Sequence, residues 1–181
     1  MSGHSKWAQI KHKKATTDAK RGNLFSKLAR AITIAARDKG SDPSANATLA
    51  SAIEKARSFN MPSDNIERAI TKATGVGEDV LATVMYEAYG PGGVAMLLLG
   101  ISDNNNRTSN EIKHLLKEHR GKWAEAGSVL WAFDKTSEGW VPKTYSMVAL
   151  STEDRSALEA LVEVLDDHED VQDIYTNESG E

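Results

Sequence analysis

From Asn23 onward, apolar residues recur every three or four positions. Leu24, Leu28, Ala31, Ile32 and Ala35 fall on one stripe, while Lys27, Arg30 and Arg37 stay off it. That spacing predicts a helix with one packing face and one basic face, stopped by Gly40 and the Asp42-Pro43 pair. A second helix is predicted from Ala47 to Phe59, with Leu49, Ile53, Ala56 and Phe59 on one side. A third follows Met61-Pro62, capped by Ser63 or Asp64; it carries Ile66, Ala69, Ile70 and Ala73 and ends at Gly75. No one of these helices can bury its stripe alone, so three with short connections predict a small bundle. Residues 1–75 are therefore expected to hold a basic arm and a three-helix domain.

Val76 to Asp79 has no period and reads as a linker, after which the pattern changes to mixed strand and helix. Val80 to Ala88 and Val94 to Ile101 are strand-like and flank Gly90-Pro91-Gly92-Gly93, a hairpin turn signal. Thr108 and Glu111 have capping-box spacing ahead of Ile112, Leu115 and Leu116, predicting a helix closed by Gly121. Ser128 to Phe133 and Lys143 to Leu150 read as further strands. Ser151 and Asp154 cap a helix through Leu158, Leu161, Val162 and Leu165, and Val171 to Tyr175 reads as the last strand. Residues 80–181 are thus expected to form an α+β sandwich, two helices on one face of an antiparallel sheet, ferredoxin-like in outline. The whole chain is expected to be α+β, its helical domain first.

Charge changes the picture. The net charge is −4, yet residues 1–40 carry ten Lys/Arg against Asp18 and Asp38, a balance of +8. Residues 41–75 balance to zero, and 76–181 carry −12. Such asymmetry points to a polyanion-binding arm on an acidic body. Lys6, Lys11, Lys13, Lys14, Lys20 and Arg21, with His12 among them, are candidate phosphate contacts, and Trp7 offers a face on which an unpaired base can stack. Trp7 and Ile10, three apart, equally suit a helical turn anchored on the bundle. Lys27, Arg30 and Arg37 are expected to extend the same positive surface.

Catalytic patterns are weak by comparison. His4, His12, His114, His119 and His168 show no metal-ligand spacing, and His114 and His119 fall about 140° apart around a helix. Gly127-Ser128 lacks the rest of a nucleophile elbow, and neither Gly75-Val76-Gly77 nor the 90–93 turn completes a phosphate-binding loop. The expectation is a protein that is not an enzyme and takes no cofactor, metal or small-molecule substrate. There is no cysteine, which fits a reducing compartment. The longest apolar run, Val94 to Leu99, is too short to span a bilayer. A cytoplasmic location without membrane contact is expected.

Several motifs occur together and in order: GHSKWAQIKHKKATTDAKRGNLFSKLARAITIAAR, NMPSDNIERAI, YEAYGPGGVAMLLLGISDNNNRT, GSVLWAFD, VPKTYSMVAL and DVQDIYTN. On these residues the chain resembles the YebC family of bacterial proteins, which has mitochondrial relatives. The resemblance implies a helical N-terminal domain followed by α+β domains, and transcriptional regulation through DNA binding. Some relatives look instead like translation factors that associate with the ribosome and help it through proline runs. The family's basic positions carry over to those of the GHSKW…KRG segment; the DNNNRT turn matches too and is assigned a helix-capping role. One departure stands out. Family members usually hold a third domain between the strand ending here at Phe133 and the segment near Val141, whereas here only a hairpin-sized connection, residues 134–140, fills the gap. A two-domain protein is expected. Its leading function is that of a DNA-binding transcriptional regulator; the runner-up is a ribosome-associated factor gripping ribosomal RNA, where shape and phosphate dominate over base reading.

Overall fold

The computed structural model describes residues 18–74, 81–137 and 139–180. Helix α1 spans Asp18–Lys39, α2 Ala47–Ser58 and α3 Ser63–Thr74. Their shared core is the predicted stripe: Leu28, Ile32 and Ala35 of α1, Leu49, Ile53 and Ala56 of α2, and Ile66 and Ala69 of α3, with Met61 between. Asn46 sets the α1–α2 corner. Its side-chain oxygen accepts from the Leu49 amide at 3.0 Å while its amide donates to the carbonyls of Ala35 and Gly40, both at 2.8 Å. One buried side chain therefore closes α1 and caps α2. The predicted stop at Gly75 and the 76–79 linker lie outside the described residues.

The α+β domain begins with a hairpin, β1 (Ala82–Tyr89) and β2 (Ala95–Ser102), paired in register from Ala82↔Ser102 to Tyr89↔Ala95. Its turn is a short 3-10 segment, Pro91–Gly93. Helix α4 (Asn105–Glu118) leads to β3 (Lys122–Ala124), which pairs with β1. A small hairpin, β4 (Phe133–Thr136) and β5 (Gly139–Pro142), then precedes α5 (Thr152–Asp166) and β6 (Val171–Thr176), which pairs with β2. The four-stranded sheet has the order β3-β1-β2-β6 and is antiparallel throughout. On one face Tyr86, Ala88, Met96 and Leu98 pack against Ile112 and Leu116 of α4 and Leu158, Leu161 and Leu165 of α5. On the other, Ala95, Leu97 and Ala124 are covered by Val129, Ala132 and Phe133, with Trp140 and Tyr175 beside them. The β2 run is apolar without alternation because both its faces are buried. The α+β class and the two-helix layer agree with the sequence.

Three local expectations are corrected. Asn104, not Thr108, caps α4, accepting from the Arg107 amide at 3.1 Å; Thr108 lies inside the helix, fully buried. Residues 128–132 do not extend as a strand. The buried carboxylate of Glu87 accepts from the amides of Gly127, Val129 (2.7 Å) and Leu130 (3.0 Å), folding the segment into a loop and a 3-10 turn at Leu130–Ala132. Likewise Lys143 to Leu150 is not a strand: Ser146 donates to the carbonyls of Ala132 and Lys143, both at 2.8 Å, and closes a 3-10 turn at Thr144–Ser146. Only Val148 pairs beyond it, with Glu178. Strand β3 was not anticipated; at three residues it is too short to show a period.

Candidate nucleic-acid interface

Of the sequence-predicted contacts, Lys6, Trp7, Lys11, His12, Lys13 and Lys14 lie outside the described residues. Those on α1 are placed, and most turn toward the α+β domain. The corner between α5 and β6 supplies the carboxylates Asp166, Asp167, Glu169 and Asp170. Lys20 reaches Glu163 at 3.3 Å and Asp167 at 3.4 Å; Asp167, then Glu163, pushes its pKa up. Lys27 is 7% exposed, donates to the Asp166 carbonyl and lies 3.6 Å from that residue's carboxylate. Arg30 holds the Asp170 carboxylate, the Ile101 carbonyl at 3.1 Å and Glu169 at 3.4 Å. Arg37 donates to the Leu81 carbonyl. Arg21 remains exposed, with Asp18 at 3.7 Å.

The expectation that Lys27, Arg30 and Arg37 form an open basic face is therefore corrected. The charged ends of Lys27 and Arg30 are buried against groups of the same chain, and only Arg37, which donates to Leu81, stays exposed, because α1 has two packing faces instead of one. Its second face meets the domain through Ile34 and Ala31 against Leu81 and Ile101. Helical periodicity reports a residue's position around its own helix, and nothing in it signals a carboxylate 140 positions away.

The polar centre of this junction is Asp170, fully buried. Its carboxylate accepts from Arg30, from Arg107 at 2.8 Å and from the Thr108 hydroxyl. Burial alone would push the carboxyl up; the hydrogen bonds from Thr108, Arg107 and Arg30 outweigh it and hold the pKa below its ordinary value. Gly100 makes the approach possible. A Cβ there would sit 2.6 Å from the Asp170 carbonyl, which accepts from the Ile101 amide at 2.8 Å where the β2–β6 register shifts. The DNNNRT segment thus does more than cap. Asn104 caps, Asn105 accepts from the Tyr86 hydroxyl at 2.7 Å, and Arg107 and Thr108 hold Asp170. A signal was present in the sequence, an Arg-Thr pair at the head of a helix, but its partner lies 62 residues away from Thr108.

Among the described residues no three of His, Asp and Glu gather as a metal site, and no helix is long and apolar enough to cross a membrane.

Fold and site together define an α+β protein whose helical region is clamped by its own cations onto an acidic domain. Comparison with known proteins narrows this class. The TACO1/YebC N-terminal domain model matches residues 5–76, and that of the TACO1/YebC second and third domain matches residues 81–138. A probable transcriptional regulatory protein of Petrotoga mobilis is 48% identical over 97% of this chain and 70% of its own length. Another, from Caldanaerobacter subterraneus subsp. tengcongensis, is 46% identical over 96% of this chain and 76% of its own. The crystal structure of a conserved hypothetical protein from Aquifex aeolicus superposes with a TM-score of 0.84 at 31% identity, covering 96% of each chain. The chain belongs to the TACO1/YebC family. It is shorter than those two curated relatives, and the second match ends at residue 138, between the end of β4 and the start of β5 in sequence.

Proposed function

We propose that the protein is a non-enzymatic regulator of transcription in the cytoplasm that binds DNA through its basic N-terminal arm. The observation that carries this reading is how the cationic charge is divided along the chain. Lys20, Lys27 and Arg30 are held by the acidic corner, while residues 1–17 hold Lys6, Lys11, Lys13 and Lys14 and no acid in sequence. Lysines neutralise phosphates and release condensed counterions without reading bases. Trp7 adds a stacking face and His12 a further donor, while Arg21, exposed in the first turn of α1, continues the stretch. The names of the relatives along almost the whole chain support a regulatory role. The division of labour is a two-domain one, residues 1–75 gripping nucleic acid and 80–181 orienting them, with the third domain of longer relatives replaced by the β4–β5 turn.

Lysine chemistry of this kind also suits folded RNA, so the second reading is a ribosome-associated translation factor gripping ribosomal RNA. One salt series separates the two. If about five phosphates are neutralised on DNA, log K falls against log salt with a slope of about −4.5, and a fourfold rise in salt costs nearly three decades. Changing Lys11, Lys13 and Lys14 together to Glu is expected to remove most of that slope. Tight co-sedimentation with ribosomes beside weak, sequence-blind duplex binding would select the translation reading. Binding that ignores the triple change would remove the arm from both.

A further inference from the structure

Helix α4 presents a face that neither the fold nor the arm explains. Asn106, Asn110, Lys113 and Lys117 are all exposed, and their spacing of four, three and four places them on one narrow stripe about 16 Å long. Among the described residues, the side chains of Asn106, Asn110 and Lys117 make no hydrogen bond or ion pair. The Lys113 ammonium lies over the Trp123 ring, 4.6 Å from its centroid, an exposed cation–π contact that a phosphate can compete for. Ser109 flanks the stripe, its hydroxyl on the Asn106 carbonyl at 3.1 Å.

The carboxylates of the same helix, Glu111 and Glu118, lie off this stripe around the helix axis. Glu111 meets His168 at 3.0 Å and Arg107 at 3.8 Å, and Glu118 meets His114 at 3.4 Å. The acids that meet the head of α4, Asp103 and Asp170, are both engaged by Arg107. In a segment of charge −12, this is a helix face of cations and carboxamides free of carboxylates. Lysines complement phosphates. Carboxamides complement paired donor and acceptor edges, of which adenine in the major groove is the best match.

We propose that the α4 stripe docks into the major groove of duplex DNA, with Lys113 and Lys117 on phosphates and Asn106 and Asn110 toward base edges. This rests on the nucleic-acid reading above and extends it: the arm supplies grip, α4 supplies register. Helix α1, which follows the arm in sequence, is tied to α4, since Arg30 of α1 and Arg107 of α4 hold opposite oxygens of the Asp170 carboxylate. The groove, about 12 Å wide, admits a helix, whereas the deep, narrow major groove of duplex RNA does not.

The test is fluorescence anisotropy of the full chain on labelled DNA duplexes, and on an RNA duplex, over a salt series. The variants are Lys113→Gln with Lys117→Gln, Asn106→Ala with Asn110→Ala, and the arm triple change. The lysine pair is expected to shrink the salt slope by about 1.8 and weaken DNA binding at least tenfold at about 0.1 M salt. The asparagine pair should keep the slope and lose roughly tenfold preference for duplexes containing A·T over G·C steps. All four positions are exposed, so thermal melting should be unchanged. If the arm variant loses binding while both α4 variants match the wild type, the α4 assignment is overturned and the arm reading stands. If the α4 variants lose as much on duplex RNA as on DNA, the groove assignment is overturned. A wild type that binds no duplex overturns both.

Discussion

Asp170 shows how one side chain decides the geometry around it. A carboxylate with no exposed surface is costly unless its charge is met by donors, and here Arg30, Arg107 and Thr108 meet it from two helices. Removing the acceptor takes the buried partner from two guanidinium groups and a hydroxyl at once, leaving Arg30 only the Ile101 carbonyl and Glu169. Asp170→Ala is therefore expected to cost about 3 kcal/mol or more, read as a lower urea midpoint with an unchanged slope; a shift worth under about 1 kcal/mol would show that the network is dispensable. The pH dependence has a definite sign. Because the folded carboxyl titrates below its ordinary value of 3.8, the unfolded chain binds the proton first. The stabilisation is thus present above that value and fades as pH falls through the lower, folded one. Asp170→Asn should flatten this acid limb, as followed by thermal melts at stepped pH. Little of this was legible beforehand. The sequence marks Arg30 and Arg107 as polar positions on helices, but a buried polar network is assembled from distant segments and leaves no periodic trace.

At the scale of elements, what was read correctly had a period long enough to count. The three helices of the first region, α5 with its Ser151 cap, and the β1–β2 hairpin were all in that group. What failed was short and held by side chains. The loop over the second sheet face is an example, where Glu87 gathers three amides that alternation alone would have assigned to a strand. The β4–β5 hairpin closes this layer. Its Gly139 has φ +129°, and a Cβ there would meet the Tyr175 hydroxyl at 2.4 Å. Gly139→Ala is accordingly expected to cost about 1–3 kcal/mol, measured by calorimetry, whereas Gly22→Ala, with nothing within 4 Å, should not destabilise. Burial first, then the nearby charge of Asp173, pushes the Tyr175 phenol up to about 12 from 10.0. Since the folded form holds its proton more tightly, this contribution is intact below pH 10 and is lost as pH rises toward 12. Trp140 fluorescence should report the hairpin loosening over that alkaline window, and Tyr175→Phe should abolish the dependence; an identical titration in the variant would rule out the phenol as its source.

For the whole molecule the question is whether helical region and α+β domain behave as one body. The sequence separates them by period and by charge, and from that view α1 should be a helix with a free basic side. The structure instead makes α1 a shared element: one face completes the helical core, the other carries Lys27 and Arg30 to the acidic corner and Ile34 to Leu81 and Ile101. The interface is polar at its centre and apolar beside it. Much of its energy therefore sits in paired charges that are costly to leave unpaired, so breaking one pair should uncouple the halves without unfolding either core. The wild type is expected to unfold in one calorimetric transition with van 't Hoff and calorimetric enthalpies equal. In Lys27→Met with Arg30→Met, the helical region, smaller and with fewer large apolar side chains in its core, should melt first and leave the α+β domain to melt separately. A single coincident transition in that variant, seen both by far-ultraviolet dichroism and by the fluorescence of Trp123, Trp131 and Trp140, would mean that Ile34, Leu81 and Ile101 alone suffice to join the two. Charge asymmetry along this chain would then serve ligand binding only, and not cohesion.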